Sequence, residues 1–256
     1  MHFRTHNVRL AVVVCLLAAR ATAAPAQESD RGPSWAYTGN ESPTHWGDLD
    51  RAFQTCKVGK HQSPIDITKT EKAKLDAIEF HYHASPLKVT DNGRSLQVTY
   101  APGSFITVGG HQYNLMQFHF HHPSEERIHG KNRAMAAHLV HSDADGKLAV
   151  VAVLLETGSP NGTIQSVWDN LPKEKNAVHA VDDVSVNASD LLPPDHGYYT
   201  FTGSLTTPPC SEDVTWFVLK APVTISSAEL ETFARLYPLN ARPVQALNGR
   251  VVKESE

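Results

Sequence analysis

The chain has 256 residues, a formal net charge of −4, 41% hydrophobic residues and 20% charged residues. These values are ordinary for globular proteins and exclude a disordered chain, but little else. The length suffices for one large domain, since all-β domains of roughly 200–250 residues are common. The sequence shows no basic patch, which argues against a nucleic-acid partner.

The N-terminus has the pattern of a secretory signal peptide. Arg4 and Arg9 precede a short apolar run over residues 10–19, and small residues follow it. The run is about half as long as a membrane span requires, so a short N-terminal anchor is the less favoured alternative. We predict a signal peptide over residues 1–23, cleaved between positions 23 and 26, and export across the inner membrane to the periplasm.

The chain that remains after processing is predicted to be one domain without a membrane span. Residues 24–34 are small and polar and predict a loose leader, and no linker interrupts residues 35–256. Removing residues 1–23 leaves 20 basic and 27 acidic residues, a net charge of −7. No later apolar stretch is long enough to cross a bilayer, and the sequence carries no signal for an oligomeric state.

Processing also leaves two cysteines, Cys56 and Cys210. In an oxidising compartment such a pair predicts one disulfide, with two free thiols as the alternative. Because the crosslink would close a long loop, it would favour the folded chain by roughly 4–5 kcal/mol.

Most of the domain predicts short strands between turn signals, with few helices. The clearest predicted strands, in chain order, span residues 95–100, 105–108, 147–155 and 214–219. Two helices are predicted, over residues 163–171 and from the capping-box pattern at Ser226 to Tyr237. The predicted fold class is therefore mainly β with peripheral short helices.

The densest group of metal-binding side chains lies in the segment Gln117-Phe-His-Phe-His121. Alternate side chains of a strand share a face, so Gln117, His119 and His121 are predicted to point one way. Met116 and the two phenylalanines are predicted to point the other way. Two imidazoles at this spacing can bind one metal ion, with Gln117 as a hydrogen-bond partner behind them.

A third imidazole comes from His138, in the apolar segment 135–141. If this segment pairs with the first strand, three histidines converge, and three histidines with an open fourth position are typical of a hydrating or hydrolytic zinc site. The alternative is that backbone hydrogen bonds satisfy these rings. His81 and His83 have the same spacing as the first pair but no apparent third partner, and we interpret them as a solvated face.

Several segments resemble the alpha-class carbonic anhydrases, in matching order across nearly the whole predicted domain. They are Gly59-Lys-His-Gln-Ser-Pro-Ile-Asp66, Gln117-Phe-His-Phe-His121, Ser124-Glu125, Ala137-His-Leu-Val-His141, Ser204-Leu-Thr-Thr-Pro-Pro209 and Val214-Thr-Trp216. The combination of His-x-His with Ser-Leu-Thr-Thr-Pro-Pro is highly specific to that family. The placement of the two cysteines is similar to that in its bacterial secreted members.

The resemblance implies a large, twisted, mostly antiparallel central sheet, with one zinc ion per chain on His119, His121 and His138. It implies reversible hydration of carbon dioxide to bicarbonate and a proton by attack of a zinc-bound hydroxide, with weak ester hydrolysis as a side reaction. Thr206 would accept a hydrogen bond from that hydroxide and donate its own proton to Glu125.

The same matching implies an apolar substrate pocket. Gln117 would hold the free nitrogen of His119, and Thr207 would be a neighbouring pocket residue. The wall on which carbon dioxide rests would consist of Val140, Val150, Leu205 and Trp216. Hydrophobic walls suit this small, uncharged substrate, while zinc on three neutral imidazoles lowers the pKa of water from about 15.7 to about 7.

Two positions depart from the family pattern. The family usually has a proton-shuttling histidine where this chain has Arg94, and a guanidinium does not release its proton at neutral pH. We therefore expect proton export to rely on external buffer. The family also usually has a glutamate where this chain has Ala136, two residues before His138. A water or another acceptor must then hold that ring, and we expect zinc to exchange faster than is usual.

Two other functions compete with a zinc lyase. One is a binding or structural protein of similar fold that has lost turnover, which Arg94 and Ala136 favour and the three histidines oppose. The other is a secreted zinc hydrolase of a different fold, although the His-Glu-x-x-His helix expected of such an enzyme is absent from the sequence.

Overall fold

The computed structural model of the chain describes residues 1–2 and 33–256. Nearly all of the predicted signal peptide and most of the predicted leader therefore lie outside the described residues. Residues 33–256 form one compact unit.

Strands dominate this unit. They are β1 (Asp66–Ile67), β2 (Glu71–Ala73), β3 (Ile78–His81), β4 (Ser85–Asp91), β5 (Leu96–Thr99), β6 (Phe105–Val108), β7 (His111–His121), β8 (Arg127–Ile128), β9 (Met135–Ser142), β10 (Leu148–Thr157), β11 (Ala177–Val186), β12 (Tyr198–Ser204), β13 (Glu212–Leu219), β14 (Val223–Ile225) and β15 (Lys253–Ser255). The α-helices are α1 (Trp46–Leu49), α2 (Thr55–Val58), α3 (Gly162–Asp169) and α4 (Ser227–Leu236). Single 3-10 turns span Gly39–Glu41, Arg51–Phe53 and Ala188–Leu191.

Thirteen of the strands form one large sheet. Its main path runs β11-β4-β5-β7-β9-β10-β13-β12-β15-β2, with β14 beside β10 and the β3–β6 pair beside β7. Most neighbours are antiparallel, whereas β10 pairs in parallel with β13 and β14, and β15 pairs in parallel with β2. Strands β1 and β8 form a separate parallel pair. The predicted fold class, mainly β around a large and mostly antiparallel sheet, is confirmed.

The predicted elements occur close to their expected bounds. The strand predicted over residues 105–108 is β6, and the apolar run over residues 147–155 is β10, a buried strand between β9 and β13. The capping box forms as predicted, because the Ser226 hydroxyl accepts from the Glu229 N–H while the Glu229 carboxylate accepts from the Ser226 N–H. Tight local signals therefore set the element boundaries.

The sheet separates two apolar clusters, and alternate residues of its central strands enter one or the other. Phe118 and Leu139 belong to the main core. Ala136, Val150 and Trp216 belong to a second cluster of buried residues. Because the side-chain period of a strand is two, the residues that alternate with the main-core positions of β7 and β9 face the second cluster.

One predicted position on β7 is wrong. Met116 lies at a shift in register between Leu115 and Gln117, and it is 52% exposed. The extra residue breaks the alternation at that point, so Leu115 rather than Met116 joins the core alongside Phe118.

The two cysteines that remain after the predicted processing are bonded to each other. Cys56 lies in α2 and Cys210 in the loop between β12 and β13, 154 positions later. Both lie in a small buried cluster with Trp46 and Phe53. Within residues 33–256, no helix is both long enough and apolar enough to cross a membrane.

Candidate active site

The three predicted metal ligands lie on two neighbouring strands. His119 and His121 come from β7 and His138 from β9, and the register of these antiparallel strands pairs His119 with His138. One ring nitrogen from each histidine lies within 4.8 Å of the others. The pairing thus brings together residues that are up to nineteen positions apart in sequence, on the face of the sheet that was predicted.

The orientation of the first two rings follows from their hydrogen bonds. Nδ1 of His119 lies 2.9 Å from the side-chain oxygen of Gln117, and Nδ1 of His121 lies 2.8 Å from the backbone oxygen of Asn240. Each Nδ1 therefore carries the proton and each Nε2 is left with its lone pair. The buried Nε2 of His121 has no hydrogen-bond partner within the described chain.

The third ring is turned the other way. Nε2 of His138 lies 3.2 Å from one oxygen of the Glu126 carboxylate, which leaves Nδ1 directed to the other two rings. The sequence prediction left open which acceptor holds this ring in the absence of a glutamate at position 136. The acceptor is Glu126, so the physical reason for expecting unusually fast zinc exchange does not apply.

The free ring nitrogens fit a divalent metal ion. Burial lowers the pKa of His119 to about 3, and the neighbouring His138 lowers it further in the same sense. Burial and the two other rings hold the pKa of His121 well below its usual value. Burial also lowers the pKa of His138, but Glu126 and Glu125 outweigh that effect and the net shift is upward. Neutral imidazoles are the form that binds metals, so a metal ion would displace the proton that the carboxylates favour on His138. Three imidazoles with an open position are the donor set of catalytic zinc sites.

Glu125 lies directly beside the ligands and is fully buried. Its Oε1 accepts a hydrogen bond from the Arg242 N–H at 2.7 Å. Burial raises the pKa of Glu125 to about 7, and the charge of Glu126 acts in the same direction. The imidazole of His138, the Arg242 N–H and the Thr206 hydroxyl act against it. Thr206 and Glu125 are therefore neighbours, and the second oxygen of the Glu125 carboxylate is buried without a hydrogen-bond partner among the described residues.

A cavity of about 320 Å³ opens above the histidines. All the predicted pocket residues line it, namely Val140, Val150, Leu205, Thr207 and Trp216, together with Thr206, Gln117, His119 and His121. Its apolar wall follows from strand register, because Val150 of β10 is the partner of Val140 on β9 and of Trp216 on β13. The wall offers no charge to a substrate.

Arg94, which was predicted to occupy the position of a proton shuttle without acting as one, lines the same cavity. Its guanidinium packs on the Trp35 ring, and both residues line the cavity. His122, the next residue after the last ligand on β7, directs its Nδ1 to the backbone oxygen of Ala134 instead. Within the described chain, the histidines that line this cavity are His119 and His121.

Sequence reasoning missed several residues that hold the site. Glu126 was one, although two consecutive acids directly after a histidine-rich strand are a local signal. Asn240 and Arg242 gave no local signal, since they act from more than a hundred positions away. Tyr37 and Asn92 line the cavity and were not predicted either.

Comparison with known proteins agrees with this site. The family described as eukaryotic-type carbonic anhydrase matches residues 41–256. A carbonic anhydrase of Klebsiella pneumoniae is 46% identical over 224 residues, which cover 86% of this chain and 90% of that protein. One from Neisseria gonorrhoeae is 45% identical over 243 residues, covering 94% of this chain and 95% of that protein.

Solved structures give the same result. The alpha-carbonic anhydrase of Thermovibrio ammonificans, in complex with the inhibitor sulfanilamide, superposes with a TM-score of 0.84 at 39% identity. The match covers 87% of this chain and 100% of that one. A zinc hydrolase of a different fold is thereby excluded. The chain belongs to the alpha class of the carbonic anhydrases, lyases whose general reaction is the hydration of carbon dioxide.

Proposed function

We propose that this enzyme hydrates carbon dioxide reversibly with one zinc ion on His119, His121 and His138. The observation that carries the proposal is the pattern of ring hydrogen bonds, which leaves Nε2 of His119, Nε2 of His121 and Nδ1 of His138 free. One ring nitrogen from each of the three residues lies within 4.8 Å of the others. When bound, zinc supplies the acidity that turns a water molecule into a nucleophile at neutral pH.

Thr206 and Glu125 would orient the nucleophile. The Arg242 N–H fixes one oxygen of the Glu125 carboxylate, and the other oxygen is buried without a hydrogen-bond partner among the described residues. The neighbouring Thr206 hydroxyl would donate to that free oxygen. A hydroxyl whose only proton is engaged in a hydrogen bond to a carboxylate can only accept a hydrogen bond from the attacking oxygen. That oxygen then turns a lone pair, rather than its proton, toward the carbon of the substrate.

The apolar wall would bind carbon dioxide and release the product. Val140, Val150, Leu205 and Trp216 surround the cavity without offering it a charge. An uncharged, apolar substrate is favoured in such a pocket, whereas the bicarbonate anion is not. Thr207 would contact the substrate at the edge of the wall.

Proton export would depend on buffer. Arg94 lines the cavity at the position that the family resemblance gives to the shuttle, and guanidinium groups do not exchange protons at neutral pH. The nucleophile must nevertheless lose one proton in each cycle. A small base such as imidazole entering from solution would take it.

Two further assignments complete the proposal. Weak ester hydrolysis is expected at the same site, because an activated water also attacks ester carbonyls. Export to the periplasm is supported by the signal-like N-terminus and by the disulfide between Cys56 and Cys210. Mass spectrometry of protein from the periplasmic fraction would test this, since cleavage between positions 23 and 26 is expected and an intact N-terminus would contradict it.

Stopped-flow hydration of carbon dioxide by zinc-loaded protein tests the reaction, with and without imidazole. We expect the turnover of the wild type to rise steeply with imidazole concentration. The variant H138Q should lose both metal binding and turnover. The matched control is H122Q, which makes the same change in the histidine that follows His121 and that is not among the residues lining the cavity. A zinc-loaded protein without turnover in either buffer would contradict the proposal and favour a binding protein of this fold.

A further inference from the structure

The His138 ring is held by a carboxylate from the loop after β7 and not by one from its own strand. Oε1 of Glu126 lies 3.1 Å and Oε2 3.2 Å from Nε2 of His138. The Glu126 side chain is fully buried, and within residues 33–256 its carboxylate has no other hydrogen-bond partner. Burying an unpaired carboxylate is costly, so the contact with His138 explains why an acid is tolerated there.

This acceptor differs from those of the other two rings. His119 and His121 donate to neutral oxygens, the Gln117 amide and the Asn240 carbonyl. A hydrogen bond to an ionised acceptor is roughly twice as strong as one between neutral groups. Glu126 therefore fixes both the tautomer and the plane of His138 more firmly than the neutral acceptors fix the other rings.

Position 136 explains why the carboxylate can come from a loop. Ala136 precedes His138 by two residues on the same face of β9 and is fully buried. Side chains at this spacing lie about 7 Å apart along a strand. A glutamate at 136 would reach the ring nitrogen that Glu126 now occupies, and the small alanine leaves that space free.

We propose that Glu126 is the positioning residue that holds His138 for metal binding, in place of a carboxylate at position 136. The inference rests on the proposed zinc function of the three histidines. It makes positions 126 and 136 alternative sources of a single carboxylate: one is needed, and two would crowd one imidazole with like charge.

Zinc release from the full chain into a chelator tests the inference without any measurement of turnover. We expect E126Q and E126A to lose zinc about 10–100-fold faster than the wild type, the range usual for loss of a group that supports a metal ligand. The double variant E126A/A136E should return to within about threefold of the wild type. The control E156Q removes an exposed acid that pairs with Arg133 and should release zinc at the wild-type rate.

Two readouts separate positioning from a general effect on folding. The visible absorption of the cobalt-substituted protein should change in E126A and return in the double variant. A136E alone should unfold at a lower temperature than either the wild type or the double variant. Wild-type zinc release from E126A would overturn the inference, as would a folded double variant that still loses zinc as fast as E126A.

The outcomes also distinguish this inference from the proposed function. A wild type that retains zinc without hydrating carbon dioxide would overturn the function and leave the role of Glu126 intact. A wild type that does not retain zinc would overturn both.

Discussion

The guanidinium carbon of Arg94 lies 4.2 Å from the centre of the Trp35 ring, and its Nε donates to the Trp35 carbonyl oxygen at 2.9 Å. The stacking and the hydrogen bond together hold the guanidinium in the lining of the cavity. By the family resemblance, this is the position from which a titrating side chain would carry protons out.

R94H should therefore restore internal proton transfer. In dilute, non-transferring buffer we expect turnover to increase on the order of 10-fold, below the usual range for a well-placed general acid or base because the ring is not otherwise fixed. The wild type and R94H should converge at high imidazole concentration. The control R94Q removes the charge without adding a titrating group, and equal buffer-free rates for R94H and R94Q would contradict the prediction.

The disulfide should contribute a large share of the net stability. Replacing both Cys56 and Cys210 by serine removes a crosslink across 154 positions, for which the chain-entropy relation gives roughly 4–5 kcal/mol. Urea unfolding of the oxidised wild type and the double variant measures the difference. The reduced wild type serves as control and should resemble the variant; a difference below about 1 kcal/mol would show that the unfolded chain gains little freedom from the loss of the crosslink.

His141 should make the fold sensitive to acid. It is buried on β9 with its Nε2 2.8 Å from the Tyr82 hydroxyl, and burial lowers its pKa to about 3 against opposing backbone hydrogen bonds. Below the ordinary histidine pKa of about 6.5, the unfolded chain takes up a proton that the folded chain refuses. Stability is then lost as pH falls from about 6.5 toward 3, by up to about 1.4 kcal/mol per pH unit.

The variant H141Q keeps a partner for Tyr82 and removes the titration. Urea unfolding of the metal-free proteins at pH 6.5 and 4.5 gives the free energy of unfolding that each loses on acidification. We expect H141Q to lose roughly 2–3 kcal/mol less than the wild type. The control Y82F retains the imidazole and should keep the acid sensitivity. Identical pH dependence in H141Q and the wild type would contradict the prediction and would mean that other buried groups cause the loss of stability at low pH.

Asn240 should matter more to the site than its position suggests. Its side chain donates to the carbonyl oxygens of Arg94 and Phe120 and accepts from the His122 N–H, while its backbone oxygen accepts from His121. N240A would remove three hydrogen bonds between this side chain and the backbone, at a cost of roughly 2–4 kcal/mol, although the Phe120 oxygen would keep its bond from the Ser95 hydroxyl.

Thermal unfolding and zinc release both measure the effect of N240A. We expect a lower unfolding temperature together with faster zinc release, because the carbonyl that orients His121 loses its support. N170A, which removes a single amide donor at the end of α3, is the control and should change neither by much. Wild-type zinc release from a destabilised N240A would separate the two effects and contradict the second.

The parts of the site that were predictable from sequence are those set by the alternation of side chains along a strand. His119 and His121 share a face because a strand alternates, and His138 joins them because an antiparallel neighbour is the simplest partner for β7. The family resemblance then supplied the expected roles of Glu125 and Thr206.

The parts that were not predictable depend on contacts that no local pattern encodes. Asn240 reaches His121 across 119 positions, and Arg242 reaches Glu125 across 117. Glu126 lies close to the ligands in sequence, but only the path of the loop after β7 shows that it turns toward His138. Met116 was misplaced because a register shift has no reliable sequence signature.

Strand β9 carries the third ligand and part of the substrate wall on one face, and main-core residues on the other. His138 and Val140 alternate with Leu139 and His141 along eight residues. A one-residue insertion or deletion inside β9 would exchange the two faces, placing core side chains at the metal and imidazole in the core. Insertions and deletions near the end of this strand should therefore be tolerated only in the turn after Ser142. Gly146 in that turn has a positive φ of 80°, and its backbone can adopt conformations that other residues rarely reach.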